Sequence, residues 1–78
     1  MHFVYILRCA DGTFYTGCTS DLTERLHRHQ SGYVTYTQSR LPIALVFQAG
    51  FPDQQKAYAF EKYLKSGSGV AFRNKHLI

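Results

Sequence analysis

Two short runs of strand-forming residues lie on either side of a turn at the start of the chain. Residues 3–7 are all aromatic, β-branched or aliphatic, and residues 13–17 place two adjacent aromatic residues between threonines, followed by a glycine. Such runs are typical of β-strands. Between them, the dipeptide Asp11-Gly12 is a strong hairpin signal. The pattern therefore predicts an antiparallel β-hairpin.

The length of the hairpin loop decides which way its two tyrosines point. A two-residue turn would send Tyr5 and Tyr15 to opposite faces of the sheet, because register fixes the side-chain faces. A three-residue loop over residues 10–12, with Gly12 left-handed in a bulge, puts both tyrosines on one face and sets Gly17 across from Tyr5. We expect the three-residue loop. Gly17 would then permit the bend into the next element and leave room over a site.

Two further segments show the i, i+3, i+4, i+7 spacing of one helix face. The first follows the N-cap residue types at 19–21, and Gly32 stands where it would end. The second opens at residues 52–53 and reaches about Lys65. The predicted inward faces are Leu22, Arg25, Leu26 and His29 on the first helix, and Ala57, Phe60, Glu61 and Leu64 on the second.

The remaining segments complete the predicted architecture. Residues 31–42 are polar and predict a loop, whereas residues 43–47 are wholly apolar and predict a third strand. The Ser-Gly-Ser-Gly segment at 66–69 is expected to break the second helix, and residues 70–77 predict a short last helix. The order ββαβα(α) indicates an α+β fold, in which helices flank a small, three-stranded, mostly antiparallel sheet.

Composition and charge narrow the class of protein. The chain is 45% hydrophobic and 18% charged, which excludes disorder, and its longest apolar run is too short for a membrane span. It shows no signal peptide, and its two cysteines match no disulfide or metal pattern. We therefore expect reduced thiols and a cytoplasmic location, with nucleoid association left open and no membrane partner. The net charge of +4 favours a polyanionic partner.

Both predicted helices place charged or polar groups where apolar residues would be routine. Arg25 and His29 do so on the first helix, and Glu61 does so on the second. Charged residues are seldom buried unless they are paired. One interpretation is a half-buried Arg25–Glu61 salt bridge, with His29 as a hydrogen-bonded core histidine. The other is a polar cleft that these residues line together with Tyr5 and Tyr15.

The cleft interpretation supplies the parts that phosphodiester hydrolysis needs. A lone glutamate can hold Mg²⁺ when water and substrate phosphate oxygens complete the coordination shell. An arginine offers a forked donor to phosphate oxygens. A histidine or an activated tyrosine can take a proton from water near neutral pH. The set therefore suits metal-assisted hydrolysis of a phosphodiester.

Five elements, in order along the chain, resemble the GIY-YIG nuclease domain. Phe-Val-Tyr at 3–5 and Tyr-Thr-Gly at 15–17 are similar to the paired signature of that family. Residues 18–29 resemble its helix, in which a catalytic arginine is followed four residues later by histidine or tyrosine, and Glu61 resembles its metal-binding glutamate. The tail at 61–67 is similar to small stand-alone members related to the nuclease domain of the excision-repair incision subunit. The resemblance covers residues 1–78 as one domain.

This resemblance implies a metal-dependent endonuclease acting on DNA, with branched or damaged DNA as candidate substrates. By position, Tyr5 would activate or orient the attacking water, and His29 would help to draw off its proton. Tyr15 would position water or phosphate, and Arg25 would stabilise the charged phosphate. Glu61 would hold one divalent metal, Mg²⁺ or Mn²⁺.

The other cationic side chains form either a solvated face or a patch that contacts the DNA backbone. The candidates for DNA contact are Arg28, Arg40, Lys65 and Arg73. Tyr36 is a further candidate in the loop.

Two other functions stay open from the sequence, as does the oligomeric state. One is a nucleic-acid-binding module with lost or dormant chemistry. It rests on the altered first triplet and on Cys18, which stands where the repair-type domain carries lysine; Asn74 is only a candidate for that branch's later asparagine. The other is a structural interaction domain whose inward charges pair with each other.

Overall fold

A computed structural model describes all 78 residues, and it contains seven elements, of which three are strands and four are helices. In chain order they are β1 (His2–Arg8), β2 (Phe14–Thr19), α1 (Leu22–Gln30), α2 (Thr35–Gln38), β3 (Ala44–Phe51), α3 (Gln54–Leu64) and α4 (Gly67–His76). The strands form one antiparallel sheet in the order β2-β1-β3, which leaves β1 in the centre. The predicted α+β class and three-stranded antiparallel sheet are confirmed.

The hairpin adopts the three-residue loop. Gly12 has a φ of 84°, the left-handed conformation that the bulge requires. Leu7 pairs with Tyr15, and Tyr5 pairs with Gly17. The predicted register is confirmed, and it places Tyr5, Tyr15 and Gly17 on the same face of the sheet.

Different helices cover the two faces of β1. On one face, Val4 and Ile6 are fully buried in an apolar core that includes Ala57 of α3. On the other face, Tyr5 is equally buried but meets the polar side chain of His29 on α1. The sheet is therefore a middle layer, with α1 on one side and α3 on the other.

Helices α1 and α3 begin at the predicted N-cap residues. Asp21 accepts a hydrogen bond from the backbone N–H of Glu24 at 3.1 Å, and Asp53 accepts one from that of Gln55 at 2.8 Å. None of the helices has the length and apolar content that crossing a bilayer requires.

The third strand is longer than predicted. It extends beyond residues 43–47 to Phe51, and it pairs with β1 from Ala44 opposite Arg8 to Phe51 opposite His2. Gln48, Ala49 and Gly50 are weak strand formers, so the sequence favoured an earlier end. Pairing along the full length of the central strand overrides that local preference.

The polar segment at 31–42 is not entirely loop. It contains the four-residue helix α2, and Thr37 in that helix is fully buried. A single helical turn is too short to show a hydrophobic period, which explains why the sequence pattern missed it.

The Ser-Gly-Ser-Gly segment separates α3 from α4, but most of it is helical. Ser66 is the N-cap of α4, and its hydroxyl accepts a hydrogen bond from the backbone N–H of Gly69 at 3.1 Å. A Cβ at Gly69 would clash with the backbone carbonyl of Tyr63. The glycine thus permits close approach of α4 to the end of α3, and the helix starts earlier than predicted.

Candidate active site

A hydrogen-bonded tyrosine–histidine pair lies at the centre of the candidate site. The hydroxyl oxygen of Tyr5 is 2.9 Å from Nε2 of His29, and neither residue has exposed surface. The other ring nitrogen, Nδ1, is 2.8 Å from Oγ1 of Thr37, and that oxygen is 3.4 Å from the carbonyl oxygen of Val34. Since the carbonyl can only accept, the Thr37 hydroxyl donates to it. The Nδ1–H of His29 then donates to Thr37, and Nε2 accepts from Tyr5.

Burial sets the protonation states of this pair. Burial raises the pKa of Tyr5 from 10.0 to about 12; Tyr15 adds to that rise, and Arg25 partly offsets it. Burial, followed by the nearby charge of Arg25, lowers the pKa of His29 below its ordinary value of 6.5. At neutral pH the phenol is therefore protonated and the imidazole is neutral.

Gly17 is required because the phenol of Tyr5 lies directly over it. A Cβ at this position would be 2.5 Å from both Cζ and the hydroxyl oxygen of Tyr5. The hydrogen bond to His29 holds that ring in place. The small residue therefore makes room for the buried phenol.

Tyr15 packs beside the pair and links it to the surface. Its ring centroid is 4.8 Å from that of His29 and 6.2 Å from that of Tyr5. On its outer side, the ring of Tyr36 is 5.5 Å away. Tyr15 is half-buried, so it covers the buried pair while keeping part of its own surface exposed.

Arg25 brings a half-buried positive charge to the same place without an acidic partner. Its charge lowers the pKa of Tyr5 and of His29, which shows that the guanidinium is within electrostatic reach of both. The salt bridges of the chain all join other residues: Arg28–Glu24, Arg40–Asp11 and Lys65–Glu61. The interpretation that Arg25 pairs with Glu61 is therefore wrong. A half-buried cation without a carboxylate favours binding of an external anion.

Glu61 approaches this region from α3, and its charge adds to the rise in the pKa of Tyr5. Its side chain is 22% exposed, and its carboxylate is 3.0 Å from the ammonium group of Lys65. Burial raises the pKa of the Cys18 thiol, Glu61 raises it further, and Arg25 lowers it. Cys18 on the edge strand β2 is thus within electrostatic reach of both Glu61 and Arg25.

The predicted DNA-contact residues separate into two groups. Arg28 is more than half exposed and is 3.8 Å from Glu24 on the same exposed helix surface. Arg40 is tied to Asp11 at 3.1 Å. Lys65 and Arg73 instead line one cavity of about 310 Å³, which also includes Tyr15 and Tyr36 in its walls. The candidate Asn74 accepts hydrogen bonds from the guanidinium of Arg73 at 3.1 and 3.0 Å.

The catalytic candidates do not line an open cleft, as one interpretation of the sequence expected. Tyr5 and His29 have no exposed surface, whereas Tyr15, Arg25 and Glu61 are half-buried. The three cavities of the structure have other residues in their walls than Tyr5, Arg25, His29 and Glu61. Small-molecule sites are usually concave and bury most of their ligand, so Arg25 and Glu61 lie outside any site of that kind.

The carboxylate of Glu61 fits a magnesium-type ion better than a metal that needs several protein ligands. Mg²⁺ keeps several of its waters and is commonly bound by one or two carboxylates together with substrate phosphates. No group of three or more histidine, cysteine, aspartate or glutamate side chains converges anywhere in the chain, as a zinc centre would require. Glu61 would therefore be the one protein ligand.

Sequence reasoning missed the contribution of Thr37. Its hydroxyl fixes which nitrogen of His29 carries the proton, and it does so from a segment that was predicted to be loop. A threonine in a polar stretch gives no signal of such a role, because the contact forms only when α2 folds against α1.

Comparison with known protein families shows to which class of protein the chain belongs. The family model for the GIY-YIG catalytic domain matches residues 1–74. The chain therefore belongs to the GIY-YIG family, whose fold is of the nuclease type.

Within that class, the chain is similar to stand-alone members known as UPF0213 proteins. It is 41% identical over 64 residues to one from Streptococcus pneumoniae, an alignment that spans 81% of this chain and 65% of that protein, a little under two thirds of its length. It is 43% identical over 65 residues to UPF0213 protein BH0048 of Halalkalibacterium halodurans, covering 82% and 69% of the two chains. The solution NMR structure of UPF0213 protein BH0048 from Bacillus halodurans matches with a TM-score of 0.61 and 38% identity, covering 95% of this chain and 82% of that one.

Proposed function

We propose that the chain is a stand-alone endonuclease that hydrolyses a phosphodiester bond of DNA with the help of one divalent metal, Mg²⁺ or Mn²⁺. The observation that carries this proposal is the half-buried Arg25, which has no acidic partner and lies beside the Tyr5–His29 pair. The oxygens of a phosphate match the forked donors of a guanidinium, which can bind two of them at once. Membership of the GIY-YIG family supports the same chemistry.

The hydrogen-bond order supports a proton relay through Tyr5. Since the pKa of Tyr5 is raised to about 12, the phenol is not an ionised base at neutral pH. It donates to Nε2 of a neutral His29. A water on the phenol oxygen can therefore lose a proton to Tyr5 while Tyr5 passes its own proton to His29. Because neither side chain is exposed, Tyr15 or Arg25 must shift when a phosphate binds.

Arg25 and Glu61 act on the phosphate from two sides. The guanidinium would bind non-bridging oxygens and stabilise the negative charge that builds up in the transition state. Glu61 would hold the metal, which when bound supplies a Lewis acid for the phosphate oxygens. Lys65 pairs with Glu61 in the structure, and its ammonium would have to leave that carboxylate for the metal to bind.

The test is cleavage of nicked, branched and linear DNA by the purified chain with Mg²⁺ or Mn²⁺. We expect metal-dependent cleavage that falls about 10²-fold or more in Arg25→Ala, the size of effect seen when a group that stabilises transition-state charge is removed. We expect a comparable loss in Glu61→Gln.

Glu24→Gln is the matched control for the charge removed from Glu61, because Glu24 pairs with Arg28 on an exposed surface of α1. The control should cut DNA as wild type does. Cleavage by Arg25→Ala and Glu61→Gln at the wild-type rate would refute the proposal, provided that circular dichroism shows both variants folded.

A nucleic-acid-binding module without chemistry is the second candidate. It is favoured by the Lys65–Glu61 pair, which neutralises the carboxylate proposed to hold the metal. Cys18, which stands in place of a lysine of the repair-type domain, favours it as well. This candidate predicts tight binding of branched DNA that Glu61→Gln leaves unchanged, without cleavage under any metal condition.

A further inference from the structure

A cavity of about 310 Å³ continues from the candidate site along the edge of β2. Tyr15 connects the two regions, because its ring packs on His29 and also forms part of the cavity wall. Lys65 connects them as well, because its ammonium pairs with Glu61 while its side chain lines the cavity. Whatever occupies the cavity therefore adjoins the proposed point of cleavage.

The cavity walls combine apolar surface with positive charge. The aromatic and aliphatic part is formed by Phe14, Tyr15, Tyr36, Leu64 and Val70. The charged part consists of Lys65 and Arg73, and the walls contain no acidic side chain. The volume is at the lower end of the range of about 300–1,000 Å³ that small ligand sites have. A flat, apolar group with an attached anion matches these walls in shape and charge.

Two planar side chains of the cavity wall, Tyr36 and Arg73, are already held in place by stacking on a neighbour. The guanidinium of Arg40 lies 4.2 Å from the ring centroid of Tyr36, which remains 38% exposed. The guanidinium of Arg73 lies 4.9 Å from the ring centroid of Phe14. Fixed planar surfaces lose little conformational freedom when another ring stacks on them.

We propose that this cavity takes one unpaired nucleotide of the DNA substrate, with its base against Tyr36 and Arg73 and its phosphate on Lys65. The proposal rests on the proposed function and specifies it further: the preferred substrate is DNA in which an extrahelical nucleotide adjoins the phosphate to be cut. Sites that hold unpaired nucleotides combine cations for the backbone with aromatic side chains on which bases stack. A fully paired duplex keeps its bases stacked inside the helix and cannot fill the cavity.

The experiment measures binding without divalent metal, so that it does not depend on cleavage. The probe is a DNA hairpin with a single 2-aminopurine, placed either as a one-nucleotide bulge or in a base pair. We expect the protein to quench the fluorescence of the bulged probe and to bind that probe about tenfold more tightly than the paired one. The variant Tyr36→Leu should lose most of this preference, and Tyr36→Phe should keep it.

Tyr33→Leu is the matched control, since Tyr33 lies in the same segment but is 73% exposed and outside the cavity. It should keep the preference for the bulge. Equal affinity for the two probes, or an undiminished preference in Tyr36→Leu, would overturn the proposal. Failure of the nuclease proposal gives a different result, because bulge-selective binding would then persist without cleavage of any DNA.

Discussion

The two faces of strand β1 are both buried, but only one of them carries hydrogen-bonded polar groups, at Tyr5 beside the apolar Leu7. Val4 and Ile6 on one face have no exposed surface and contact only an apolar core. Tyr5 on the other face is buried as completely, yet its hydroxyl enters a chain of hydrogen bonds through His29 to Thr37. Burying polar groups is costly unless each of them finds a partner. One strand thus separates a region that provides stability from a region that retains polar groups suited to chemistry.

The largest expected effects come from removing side-chain atoms on each face and comparing the resulting losses of stability and of cleavage. Ile6→Ala should lower the free energy of unfolding by about 2–5 kcal/mol, because it leaves a cavity in the core. Tyr5→Phe should cost about 1–3 kcal/mol, since Nε2 of His29 loses its donor. DNA cleavage should respond in the reverse order, with a loss of about 10²–10⁴-fold only in Tyr5→Phe.

Urea denaturation and cleavage rates measured at a temperature where both variants are folded would check this contrast. If Ile6→Ala lost as much cleavage per folded molecule as Tyr5→Phe, the two faces would not be functionally distinct.

A second prediction concerns the glycine that makes room for Tyr5. Gly17→Ala should destabilise the chain by about 1–3 kcal/mol, because the new methyl group meets a ring that cannot move without losing His29. Cleavage should fall with it. The control is Gly67→Ala, where a Cβ meets no atom within 4 Å, so stability should stay within about 0.5 kcal/mol. Thermal unfolding of both variants measures the difference, and equal shifts in Tm would contradict the steric explanation.

The smallest effect is a dependence of stability on pH to which two groups of the polar face, His29 and Tyr5, contribute. Because the pKa of folded His29 is below 6.5, the unfolded chain takes up a proton there more readily than the folded chain does. Stability should therefore fall as pH drops below about 6.5. Tyr5, with its pKa raised from 10.0 to about 12, should produce a loss of stability as pH rises through that interval.

Chemical denaturation at a series of pH values would measure these slopes. The difference between wild type and His29→Gln isolates the contribution of this histidine. An identical slope below pH 6.5 in the two proteins would show that His29 is not the group that titrates.

Local signals in the sequence were enough to place much of this polar face. The Asp11-Gly12 turn placed the hairpin and reduced its register to two alternatives, of which the expected one is observed, and helical periodicity put Arg25 and His29 on one face of α1. These features depend on residues close in sequence, where loop geometry and the helical repeat leave few alternatives.

The missed features depend on contacts between distant segments. The pairing partner of Glu61 proved to be Lys65, four residues further along the chain at the end of α3, and not Arg25 on α1. The buried state of Tyr5, which raises its pKa, follows from the joint packing of α1 and Tyr15 over β1. The contact of Thr37 with His29 follows from the tertiary position of a single helical turn. Periodicity cannot report any of these three.

The hydroxyl of Thr37 fixes which ring nitrogen of the buried His29 carries the proton. Because Nδ1–H of His29 donates to that hydroxyl, the free lone pair of the ring is on Nε2 and faces Tyr5, so a proton can be accepted from that side only. In the proposed mechanism, a segment with no catalytic group of its own would therefore set the direction of proton transfer. If that mechanism holds, a single change in this turn during evolution would be sufficient to stop the reaction while every signature residue stayed intact, so an unaltered motif in a homologue does not by itself certify an active enzyme.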